Sequence, residues 1–132
     1  MIFVDTSVWI DYFNGVKSWQ TDYLDDLLGR EPIMTGDIVL AEVLQGFRED
    51  RDFRQADRLL SSLPYLDMLG RDMALKSARN YRVLRKKGIT VRKTIDVMIA
   101  TFCIEHGLTL LHDDRDFDPM TALGLKVVSQ ND

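Results

Sequence analysis

The opening run Met1-Ile2-Phe3-Val4-Asp5-Thr6-Ser7 constrains the fold more than any other stretch of the chain. Its apolar start leads straight into a carboxylate and two hydroxyls, the pattern of a buried parallel strand that presents a reactive group at its C-terminal end. In an open α/β sheet that end is where ligands bind. Asp5 is the only charge among the first ten residues, so the question for the rest of the chain is which other carboxylates reach the same edge. Glu42, Asp96 and the pair Asp114 and Asp116 are the positions that qualify.

The punctuation of the sequence supplies the intervening elements. Thr6 or Ser7 caps a first helix through Phe13, which Asn14-Gly15 closes. Further helices are expected at Ser18 to Leu28, Ile38 to Phe47, Arg48 to Leu63 and Arg71 to Lys87, the last with Ala74, Ala78, Tyr81 and Leu84 toward the core. Thr94 caps a nearly all-apolar helix from Ile95 to His106. Strands are expected at Ile33-Met34-Thr35, Tyr65 to Met68, Leu108 to Leu111 and Lys126 to Val128. Strands alternating with helices predict an α/β fold with a mostly parallel sheet covered on both faces. A length of 132 residues suits one domain over residues 1–132.

Asp5, Glu42 and Asp96 each stand as a lone acid in an otherwise apolar element. Carboxylates are almost never fully buried unless paired, and an isolated buried one is costly. Asp5 could simply cap a helix, and Asp96 could complement a helix dipole from its first turn. Glu42 lies inside its helix, where neither explanation applies and a solvent-facing position is the plain alternative. A shared destination at the sheet's carboxyl edge accounts for all three, and Asp114 and Asp116 follow a strand into that edge. Several carboxylates in one cleft repel one another unless a cation neutralises them. Oxygen-only donors suit Mg²⁺ or Mn²⁺ rather than zinc, and the two histidines have no partners at zinc-ligand spacing. An EF-hand is excluded, because starting the loop at Asp114 puts Pro119 where glycine is required and Leu125 where the bidentate glutamate belongs. Carboxylate-held Mg²⁺ suits phosphodiester hydrolysis, since it lowers the pKa of water and steadies the leaving oxygen.

Charge distribution points the same way. The net charge of −4 argues against a protein that coats nucleic acid through bulk positive field. Between Met73 and Ile95, however, there is no acid, and that window holds 8 of the 17 Lys and Arg residues. Arg82, Arg85, Lys86, Lys87, Arg92 and Lys93 are therefore candidates for holding a nucleic-acid backbone beside the acidic cleft. Asp5 falls where the positive region of a signal peptide would lie, and no apolar run approaches the ~18 residues of a membrane span. No membrane partner is expected, and the expected compartment is the cytoplasm. Cys103, the single cysteine, cannot form an internal disulfide and reads as a core residue.

Ile2 through Asp11, Glu42 in a helix, Thr94-Ile95-Asp96, and Asp114-Arg115-Asp116-Phe117 after a strand together resemble the PIN domain, and more narrowly the VapC-type toxins of prokaryotic type II toxin–antitoxin pairs. The resemblance spans the whole chain. It implies a three-layer α/β/α fold and a Mg²⁺-dependent endoribonuclease, with Mn²⁺ as a substitute, that cuts selected RNA such as tRNA. It makes Asp5, Glu42, Asp96 and Asp114 the catalytic acids, with Asp5, Asp96 and Asp114 as metal ligands and Asp116 and Ser7 as accessories. Ser7 would hydrogen-bond a carboxylate or a metal-bound water, or cap the first helix. His112 departs from the Thr or Ser that many relatives carry there. A VapB-type antitoxin would be the partner, in a hetero-oligomer built on a homodimer. Trp9, Tyr12, Phe13, Leu44 and Phe47 are candidates for its groove, with core packing as the plain alternative. Two other readings stand beside this one: a PIN-fold scaffold without chemistry, and a phospho-accepting receiver module. The receiver would want an acidic pair after the first strand, where this chain has one acid.

Overall fold

The computed structural model describes residues 1–131; residue 132, at the end of the expected domain, lies outside them. In chain order the elements are β1 (Ile2–Val4), α1 (Thr6–Phe13), α2 (Trp19–Leu27), β2 (Ile33–Gly36), α3 (Asp37–Leu44), α4 (Asp50–Ser61), β3 (Tyr65–Leu66), α5 (Arg71–Lys86), α6 (Thr94–Glu105), β4 (Thr109–Leu111), a 3₁₀ helix (Arg115–Leu123) and β5 (Lys126–Val127). The strands form one sheet in the order β3-β2-β1-β4-β5, every neighbouring pair parallel. Ile2 lies opposite both Ile33 and Thr109, so β1 is the central strand.

Topology follows from crossover handedness. The chain runs outward from β1 to β2 and β3, then returns past β1 to reach β4 and β5. Right-handed crossovers in opposite directions place their helices on opposite faces. Accordingly α1 packs on α2 and α3, and α3 on α4, while α5 packs on α6 and both meet the 3₁₀ helix. This is a three-layer α/β/α sandwich. Its direction reverses between β1 and β4, which makes the carboxyl ends of those strands the crevice of the fold. The core between the layers is built on Phe3, Trp9, Phe102 and Phe117, all wholly buried, with the Phe3 and Phe102 rings 5.5 Å apart.

Three local expectations change. Asp5, not Thr6 or Ser7, caps α1, its side chain accepting the Ser7 N–H. Lys93 rather than Thr94 precedes α6 as its cap residue, and Thr94 is the first helical residue. On α5 the buried positions are Ser77 and Leu84, whereas Ala74 and Ala78 are exposed and Tyr81 is half-buried. The reason lies in the seam opposite. Thr101 of α6 donates to the Val97 carbonyl at 2.7 Å and accepts from Asn80 Nδ2 at 2.9 Å, so α5 turns a polar line inward that hydrophobic spacing could not mark. Element ends otherwise shift by a few residues, and the acidic loop continues into the 3₁₀ helix.

Candidate active site

Each acid reaches the crevice by its own element. Asp5 follows β1, and its N–H donates to the Leu111 carbonyl at 2.9 Å, which locks the ends of β1 and β4 together. Glu42 comes from the middle of α3, which starts directly after β2. Asp96 sits in the first turn of α6. Asp114, after β4, caps the 3₁₀ helix by accepting the Asp116 N–H at 2.9 Å. All four of these acids line one cleft of about 280 Å³, together with Thr6, Ser7, Ile10, Gln45 and Lys93. Residues drawn from positions 5 to 114 thus meet at one edge.

The cleft is electrostatically loaded. Asp96 is 5% exposed, and one of its carboxylate oxygens, Oδ2, is buried without a hydrogen-bond partner. Burial, reinforced by repulsion from Asp5 and Asp114 and only partly offset by Lys93, pushes its pKa from 3.8 to about 7. Asp5 is raised too, by burial first, against the hydrogen bonds from Ser7 that favour its charged form. Carboxylate oxygens of Asp96, Asp114 and Asp116 lie within 4.8 Å of one another. Three hard oxygen donors at this spacing, one carrying an orphaned lone-pair acceptor, fit a small divalent cation such as Mg²⁺ or Mn²⁺.

The close trio includes Asp116, which the sequence reading ranked as an accessory. Asp5 lines the same cleft but is committed to Ser7, whose N–H and hydroxyl both donate to its Oδ2, at 3.0 and 2.7 Å. Ser7 Oγ also accepts the Asp113 N–H at 3.0 Å, so this hydroxyl holds a carboxylate and tethers the β4 loop at once. Thr6, expected only as a helix cap, belongs to the site. Its hydroxyl donates to Glu42 Oε1 at 2.8 Å across 36 residues, a contact with no local signal beyond Thr6 following the acid. His112 resolves its own departure: Nδ1 accepts the Asp114 N–H at 3.2 Å, the bond that a Ser or Thr hydroxyl makes in an equivalent turn.

The basic window divides. Lys93 lines the cleft, and Arg92 stands at its mouth with Nη1 3.6 Å from Asp116 Oδ1. Arg82 and Arg85 line a separate groove between α5 and α6, and Lys86 and Lys87 project at the exposed end of α5. Of the apolar groove candidates, Trp9 is wholly buried and belongs to the core, stacked on Phe13 at 5.8 Å. Tyr12, Phe13, Leu44 and Phe47 remain half-buried. Among the described residues no helix is long and apolar enough to cross a membrane.

Comparison with known proteins agrees with this geometry. The PIN domain family matches residues 2–123. Ribonuclease VapC11 of Mycobacterium tuberculosis is 34% identical over 93% of this chain and 93% of its own length. Among solved structures, VapBC2 from Rickettsia felis, bound to a DNA fragment from its promoter, superposes with a TM-score of 0.76 at 22% identity, covering 97% of this chain and 98% of that one. VapBC-5 from Mycobacterium tuberculosis, a member of the VapBC family of toxin–antitoxin systems, gives 0.65 at 22% identity over 96% of each chain. The order β3-β2-β1-β4-β5 also differs from the 2-1-3-4-5 order of receiver-like sheets. With its sheet, its four converging acids and a match over nearly its whole length, the chain belongs to the PIN-domain family, in its VapC branch.

Proposed function

We propose that the protein is a metal-dependent endoribonuclease, the toxin of a VapBC-type toxin–antitoxin pair, acting on structured RNA such as tRNA. The observation that carries this reading is the convergence of Asp5, Glu42, Asp96 and Asp114 on one cleft, with Asp96 held buried, unpartnered and poised near neutrality. Such a cluster has little use in a scaffold, because unpaired buried charge costs stability.

Asp96, Asp114 and Asp116 would hold the cation, and Asp5 completes the acidic wall. Mg²⁺ or Mn²⁺ in this place supplies charge neutralisation at the phosphate and activation of water. The chain's own groups do the rest. Ser7 and Thr6 fix Asp5 and Glu42 in position, so both carboxylates are pre-oriented before substrate arrives. Glu42, hydrogen-bonded at one oxygen only among the described residues, has its second oxygen free to take a proton from the attacking water. Lys93 at the cleft wall and Arg92 at its mouth offer cations to phosphate oxygens. A VapB-type partner in a hetero-oligomer is supported by the VapBC complexes that share the fold, with half-buried Tyr12, Phe13, Leu44 and Phe47 as the proposed contacts; a homodimer of the chain is proposed with it.

The test is cleavage of a total-RNA pool by purified protein with Mg²⁺ or Mn²⁺ against EDTA, beside Asp96→Asn. Discrete products that require both the metal and Asp96 are expected. Cleavage that survives EDTA or the substitution would overturn the reading.

A further inference from the structure

Between α5 and α6 runs a groove of about 370 Å³ that the cleavage chemistry leaves unused. Its walls are Ala74, Ala78 and Met98, its rim carries Arg82 and Arg85, and Thr94 closes one end. Four observations converge there. Ser77, 3% exposed, lines the groove with a buried hydroxyl that has no hydrogen-bond partner. A buried hydroxyl left unpaired is unfavourable, so this one suits a ligand that brings a donor or acceptor. Beside it, the Arg85 guanidinium lies 5.8 Å from the centre of the Tyr81 ring, an aromatic and a cation of the kind on which nucleobases stack.

Charge selects among occupants. Helix α5 carries Arg71, Lys76, Arg79, Arg82, Arg85 and Lys86 against the single acid Asp72. Lys76 is engaged by Glu105 at 2.8 Å, whereas among the described residues neither Arg82 nor Arg85 has an ion-pair partner. A second copy laid on this face would set like charges against one another, while a polyanion complements it. Continuity supplies the last step. Thr94, which lines the groove, follows Lys93, which lines the acidic cleft, so the two sites adjoin at the start of α6 and one strand can reach both.

We infer that the α5–α6 groove is a nucleotide subsite for single-stranded RNA flanking the cut. One base stacks on Tyr81, Ser77 Oγ hydrogen-bonds its edge, and the adjoining phosphates rest on Arg82 and Arg85. The inference rests on the nuclease reading for its choice of RNA, yet binding can be measured without cleavage. Fluorescent single-stranded RNA of random sequence, about 12 nucleotides long so as to span cleft and groove, is titrated into the full chain in EDTA. Tyr81→Ala and the double variant Arg82→Ala/Arg85→Ala are each expected to weaken binding about tenfold, with circular dichroism unchanged. Bromouridine-substituted RNA, photolysed on the wild type, is expected to crosslink to Tyr81 in peptide mapping. Wild-type affinity in both variants, or crosslinks confined to other elements, overturns the subsite while leaving the nuclease standing. Loss of a dimer in sedimentation with RNA affinity intact also overturns it and makes the face a contact between copies. Crosslinking at Tyr81 in a protein that cuts no RNA would instead keep the subsite and remove the nuclease.

Discussion

The Ser7 hydroxyl donates to Asp5 Oδ2 at 2.7 Å while accepting the Asp113 N–H at 3.0 Å, so one small side chain joins the end of β1 to the loop after β4. The hydrogen bond to a charged carboxylate is the stronger of the two. It favours the charged form of Asp5 against the burial that raises its pKa. Ser7→Ala should therefore loosen both the acid and the loop. We expect a loss of about 1–2 kcal/mol in denaturant unfolding and about a tenfold fall in kcat for RNA cleavage. Unchanged kcat would separate Ser7 from the chemistry.

Asp96→Asn removes a buried, repelled charge from the cleft. Cleavage should vanish and Mn²⁺ binding by calorimetry should weaken sharply, whereas the metal-free protein should gain on the order of 1–2 kcal/mol, less than the unscreened shift implies because the cleft admits water. Loss of stability in the variant would contradict the account of Asp96 as a repelled, unpartnered carboxylate.

The same residue sets a pH dependence. Its pKa lies at about 7 in the folded state against 3.8 for the ordinary group. The folded protein then binds more protons than the unfolded chain between those values, so stability without metal should fall as pH rises from about 4 to 7 and change little from this source above that. Thermal melts across this range in EDTA should show the slope in the wild type and a shallower one in Asp96→Asn. Adding Mg²⁺ should restore stability most strongly near and above pH 7, where the carboxylates are free of protons.

Thr6→Val keeps the shape of the side chain but removes the donor to Glu42 Oε1. Glu42 is only half-buried, so the fold should lose less than about 1 kcal/mol. Cleavage should fall by about tenfold through kcat rather than KM, as expected for a group that orients a proton acceptor.

Gly36 ends β2 and launches α3. A Cβ there would run into the Met68 side chain, with Leu66 O at 2.8 Å. Gly36→Ala should cost about 1–3 kcal/mol through overpacking and should lower activity as well, because α3 carries Glu42. A neutral effect on the melting temperature would show that β3 and its following loop yield more readily than their packing suggests.

Much of the site was legible because burying charge is expensive. A lone acid in Ile2-Phe3-Val4-Asp5, in the apolar α3 or in the apolar α6 stands out against its neighbours, and Asp5, Asp96 and Asp114 fall close to the end of a strand or the start of a helix that the chain's own punctuation marks. The strand-helix alternation and its parallel sheet were readable for the same local reasons. The polar inward line of α5 was not, since Asn80 turns inward to a partner, Thr101, that lies on another helix, and the buried Ser77 has no sequence signal of its own.

Which elements alternate, and which carboxylates are too costly to be incidental, was determined by the sequence itself through hydrophobic spacing and turn residues acting over a few positions. Tertiary structure alone decided which of those carboxylates share a cation-sized space, that Asp116 joins Asp96 and Asp114 there, that Thr6 reaches Glu42 and that Ser7 takes the Asp113 N–H. The Thr6–Glu42 and Ser7–Asp113 contacts join residues 36 and 106 positions apart, and no local preference encodes a hydrogen bond whose partner arrives only when the sheet closes around β1.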